Sequence, residues 1–230
     1  MHPNSAFAKF LRLTGIVLMA LTAALTLMGG IGTVCAALFT EKYAAESASM
    51  AKLLGWGWLY TLFMLATTAI GVLMLRAVIL LVKAAPTSYR DTLISLVAGV
   101  VVGFIHIFAS RAIRGSSMPV DMVTYSAVVT LLVFLLFRIP GLWSGVNFSQ
   151  GKSGGQTAGG AAAIVFGLIC LAIPILAGPT HTWNLGINWA DAFRAWLTPL
   201  GLGLICGGVL IAFWPAGPNL AFKEPFAVTE

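Results

Sequence analysis

The sequence predicts an all-α polytopic membrane protein, a bundle of six transmembrane helices, and three observations lead there. Of 230 residues, 59% are hydrophobic and only 9% are charged, against roughly 25% charged in an ordinary soluble domain. Several uncharged apolar stretches reach the ~20 residues needed to cross ~30 Å of hydrocarbon at about 1.5 Å per residue. The basic residues stand singly at the ends of those stretches. A soluble fold of this size could not cover its surface with so few charges.

Span 1 covers about residues 14–38. Lys9 and Arg12 precede it, as in a signal peptide, but the apolar run from Thr14 to Phe39 is longer than a signal core. Thr33-Val34-Cys35 also lacks the small residue that a lipoprotein cleavage site places before its cysteine, so the segment is read as a retained span. Span 2 covers 54–75, and its pattern continues past Arg76 to Val82 until Ala85-Pro86 stops it. Span 3, 89–110, opens with Ser88 and Asp91 at capping-box spacing. Span 4, 119–138, begins at Pro119, suited to a first helical position, with Asp121 favourable in the opening turn. Span 5 covers 160–178 and span 6 covers 191–214.

Residues 144–160, rich in Gly and Ser and without apolar periodicity, read as a flexible linker. They divide the chain into a four-span part, 1–143, and a two-span part, 161–230. With the N-terminus inside, the cytoplasmic segments carry Lys9, Arg12, Arg76, Lys83, Arg90, Arg138, Lys152 and Lys223. The outer segments carry Lys42, Lys52, Arg111, Arg114 and Arg194. Eight against five places both termini in the cytoplasm, in a prokaryotic plasma membrane. Tyr43, Trp56, Trp58, Tyr60, Tyr125, Trp183, Trp189 and Trp196 mark the outer boundary, and Tyr89, Trp143 and Trp214 the inner one. The net charge of +6 is explained by orientation; scattered cations do not form a nucleic-acid surface.

Candidate sites are few. Ser95, Gly99 and Gly103 lie four apart on one face of span 3, and Gly203 and Gly207 repeat the spacing in span 6. Small residues so placed let helices approach closely, within the chain or between subunits. His106, on the Gly103 face, is an ionisable residue at membrane depth, and such a residue is a functional candidate. It reads first as a neutral imidazole hydrogen-bonded to a neighbouring helix, and alternatively as a haem ligand, with His181 as second ligand, or a quinone contact. Arg111 and Arg114, one helical turn apart and within reach of Asp121, suit either an ion-paired turn or an anionic ligand or acidic partner. Pro174 and Pro199 should kink spans 5 and 6.

Other patterns fail. Gly151-Lys152-Ser153 lacks the upstream glycine and the strand of a phosphate loop. Cys35, Cys170 and Cys206 lie in apolar segments without metal-ligand spacing, so no metal is expected. No Asp or Glu lies deep in any span, where a proton- or sodium-coupled transporter needs one. The leading functional reading is therefore a non-catalytic structural or accessory subunit of a membrane complex, with no cofactor, bound to other membrane subunits or to copies of itself. A small-molecule transporter or channel component lined by spans 5 and 6 is the second reading, and a redox subunit using His106 the third.

Overall fold

The computed structural model describes residues 2, 5–45, 47–149, 155–176 and 189–214, and all regular structure among them is helical. Helix α1 (Ala6–Gly32) begins where the Ser5 hydroxyl accepts the Ala8 N–H at 3.2 Å, satisfying one of the unpaired donors of the first turn. It therefore starts well before Thr14 and takes in Lys9 and Arg12, both good helix formers. Helix α2 (Val34–Leu38) extends it almost without interruption, because the Thr33 N–H still bonds the Gly29 carbonyl at 3.1 Å. Helices α3 (Thr40–Ala44) and α4 (Ala48–Ala51) then fold the polar stretch back.

Helix α5 (Gly57–Val82) reaches Val82 as the apolar pattern predicts. Its end is a Schellman motif: Ala84 takes φ 53°, and the Ala85 N–H reaches back to the Leu80 carbonyl at 2.9 Å. Helix α6 (Ser88–Arg114) differs from expectation at its start. Thr87 is the capping residue, and its hydroxyl donates to the Asp91 carboxylate at 3.1 Å instead of a Ser88–Asp91 box forming. Helix α7 (Val120–Leu136) is only 17 residues long. Its expected last turn, to Arg138, closes instead as tighter bonds from Arg138 to Leu135 and from Ile139 to Leu136.

Of the expected linker, residues 144–149 and 155–160 are described. Helix α8 (Trp143–Val146) comes first, Val146 and Phe148 are buried in the core, and α9 (Gly155–Leu176) has already begun by residue 155. Apolar Val146 and Phe148, two residues within a polar stretch, are what draw it inward. Helix α10 (Trp189–Ala192) is separate from α11 (Arg194–Phe213), so the last span starts three residues after Asp191.

Helices α1, α5, α6 and α7 form a four-membered ring in which α1 and α6 each pack between α5 and α7. Helix α9 lies on α1, and α11 lies on α9. The ring is centred on Ile16, Met19, Met74, Leu96 and Phe134. The exterior is apolar as well as the core, and polar side chains are buried at the helix contacts. Thr22, Thr26, Thr92, Ser95, Thr124 and Thr130 are buried, while Leu62, Leu65, Ile94, Ile105, Phe108, Leu132 and Leu136 are exposed. Buried hydroxyls stay satisfied: Thr22 and Thr130 bond across α1 and α7 at 2.7 Å, and Thr26 and Thr92 bond the carbonyls one turn back. Among the described residues, five helices are apolar and long enough to cross a membrane, the first of them α1 continued by α2, and α7 is a shorter apolar one.

Candidate functional site

His106 sits on the α6 face turned toward α5 and is 3% exposed. Its ring stacks on Phe63, with centroids 4.2 Å apart and planes 14° apart, and meets Tyr60 edge-on at 5.5 Å. Tyr60 is buried here, with its phenol oxygen 2.8 Å from the Ser110 hydroxyl. Among the described residues the imidazole has no hydrogen-bond partner, so the expected bond to a neighbouring helix is replaced by ring stacking. The flat contact with Phe63 covers one ring face. His181 lies outside the described residues.

Arg111, Arg114 and Asp121 meet at the turn between α6 and α7. The Arg111 side chain donates from Nε to the Ser117 hydroxyl at 2.9 Å and from a terminal nitrogen to Asp121 at 3.1 Å. The Ser117 hydroxyl lies 2.8 Å from both Asp121 oxygens, and Arg114 donates to the Met118 carbonyl at 2.8 Å. Gly115, at φ 78°, makes the left-handed end of α6 that brings these groups together. The arrangement ties the hairpin, because the Asp121 carboxylate is already occupied by two donors from α6 and its turn.

The small residues divide into two kinds. Ser95 is buried, and a Cβ at Gly99 would stand 2.6 Å from Met74 on α5. One at Gly103 would overlap Thr124 on α7. These positions hold α6 close to both ring neighbours. Gly203 and Gly207 behave differently, since a Cβ at either would meet nothing within 4 Å.

The glycines that join α11 to α9 are Gly201, against the Gly167 carbonyl, and Gly208, against the Gly160 carbonyl. Seven steps forward on α9 match seven steps back on α11, the register of antiparallel helices. That shared interval was the available signal; attention to spacings of four passed over it. Gly30 against Thr68 and Gly71 against Leu27, which bring α1 onto α5, were missed likewise. Pro174 and Pro199 do lie within helices, near the end of α9 and the beginning of α11, and so at the same end of this antiparallel pair.

Helix α11 is the least buried of the five long apolar helices, with 11% of its apolar stretch covered against at least 28% in the others. Its open side carries Gly203, Cys206, Gly207, Leu210 and Trp214, spaced as one helical face. Gly207 lies in a shallow hollow with Leu210, Ile211, Trp214 and Gln156. Cys206 is a free, exposed thiol. Among the described residues no group of three or more His, Cys, Asp or Glu side chains is arranged to hold a metal. Comparison of the chain with family models, curated proteins and solved structures found no match.

Proposed function

We propose that the chain is a multi-pass membrane protein acting as a non-catalytic accessory subunit, with the open face of α11 as its surface for another membrane protein. The membrane reading is supported by the apolar exterior: hydroxyls point inward to partners, and large aliphatic side chains point outward, as a lipid solvent requires. The subunit reading is carried by Gly203 and Gly207. In a bilayer, close helix contact depends on such small residues, and a Cβ at either of these two would meet nothing within 4 Å among the described residues. Tight glycine contacts between α9 and α11 favour packing over a passage between those two helices.

The thiol of Cys206 reports on that face directly. In native membranes a partner would shield it from a membrane-permeant maleimide, and purification in harsh detergent would expose it. Gly207→Leu should abolish co-purification in mild detergent while changing thermal stability little, since a Cβ at 207 meets nothing within 4 Å among the described residues. A lone chain in native mass spectrometry, with Cys206 labelled equally fast in membranes and in detergent, would remove the subunit reading. Both termini on the cytoplasmic side is the orientation proposed from the basic residues, and reporter fusions at each end test it.

A further inference from the structure

A second surface lies at the end of the bundle where α1 begins. There the Arg138 guanidinium sits 4.6 Å from the centre of the Trp143 ring and 5.5 Å from that of Tyr89. The two rings meet edge to face at 4.8 Å. Tyr89 is fixed in turn by its hydroxyl, which donates to the Phe134 carbonyl at 2.8 Å. Arg12 reaches the same short helix from α1 and donates to the Gly145 carbonyl at 3.2 Å. Phe148 anchors the following residues by stacking on Phe134, with centroids 5.6 Å apart.

Arg138 is thus held by packing, yet it has no acidic partner among the described residues. The three ion pairs there join Arg90 to Asp91, Arg111 to Asp121 and Arg194 to Asp191. Contact with ring faces engages the guanidinium plane and leaves its edge donors available. Those donors form a fork that matches two oxygens of a phosphate. Beside Arg138, Leu135, Leu136 and Ile139 are all exposed. An anchored cation next to an aliphatic wall complements one kind of molecule, an anionic head with hydrocarbon tails.

We propose that Arg138, held on the Tyr89–Trp143 platform, binds the phosphate of an anionic phospholipid whose acyl chains lie along the end of α7. The inference rests on the membrane reading above. A free phosphate would use the same donors but would gain nothing from Leu135, Leu136 and Ile139. A choline headgroup would bring a further cation toward Arg138 and Arg12, so the anionic class is favoured.

The test uses the full chain in nanodiscs of phosphatidylcholine, with and without phosphatidylglycerol. Successful reconstitution in phosphatidylcholine alone checks membrane embedding separately. The melting temperature should rise with phosphatidylglycerol by mass action, and native mass spectrometry should show one retained phosphatidylglycerol. Arg138→Gln should weaken retention on the order of tenfold, the equivalent of one charged hydrogen bond. Arg138→Lys, which keeps the charge but loses the fork, should fall between, and it serves alone should the glutamine variant not fold. Arg76→Gln, outside the platform, should behave as the parent. The proposal is overturned if Arg138→Gln, or the lysine variant standing alone, retains the lipid like the parent. Equal retention of phosphatidylcholine in native mass spectrometry, or an equal melting-temperature shift with inorganic phosphate in detergent, overturns it as well.

Discussion

Stacking of His106 on Phe63 makes the ring, not the titratable nitrogen, the feature that packs α6 against α5. His106→Phe should therefore keep most of the parent's stability, whereas His106→Ala should lose about 2 kcal/mol through the void and the lost ring contact. Thermal unfolding in one detergent compares the two. A phenylalanine variant as unstable as the alanine one would mean that the imidazole nitrogens matter. Ala84 offers the opposite kind of change. Its φ of 53° crowds a Cβ against the following carbonyl, a cost of roughly 1–2 kcal/mol in a non-glycine residue. Glycine at 84 should recover about 1 kcal/mol of that, offset in part by its freer unfolded chain. The importance of His106 was legible in the sequence because a lone ionisable residue in an apolar run stands out. Its partner was not, since Phe63 lies on another helix and no local pattern ties the two. The same limit applied to Tyr60, whose burial depends on Ser110 fifty residues away.

Helices pair in this protein where glycines meet, and that makes some positions intolerant and others permissive. Gly208→Leu should separate α11 from α9, because its first side-chain atom would already stand 2.6 Å from the Gly160 carbonyl. Overpacking of this kind costs typically 1–3 kcal/mol, and a lower melting temperature with faster proteolysis between the two helices would show it. Gly203→Leu, five residues earlier on the open side, should cost little in the isolated chain, since a Cβ there meets nothing within 4 Å among the described residues. At the α6–α7 turn, Asp121→Ala leaves Arg111 and Ser117 without their acceptor and should cost about 1–3 kcal/mol. The helices themselves were legible, since length and apolar content decide them. Their ends were less so: Ser5, whose hydroxyl caps α1, and Thr87, which precedes α6 and bonds Asp91, are hydroxyls among many, and only the geometry selects them. In the polar stretch 144–160, composition averages over Val146 and Phe148, two residues that reach the core.

For the molecule as a whole, the number of apolar helices could be read from the chain, but their arrangement could not. Nothing local shows that α1 touches α5, α7 and α9 at once, or that α11 is left at the edge. The protein should resist extraction by alkaline carbonate and dissolve only with detergent. Release by carbonate alone would contradict the assignment of lipid as its surroundings. Helix length carries a last implication. At about 1.5 Å per residue, the 17 residues of α7 rise about 25 Å, while the 26 and 27 residues of α5 and α6 rise about 40 Å. Part of that difference is polar, since α6 carries Asp91 in its first turn and Arg111 and Arg114 in its last, but α7 remains the shortest of the apolar helices. In nanodiscs of graded acyl-chain length, short-chain lipids are expected to gather along the α7 flank, and even enrichment around all flanks would contradict this.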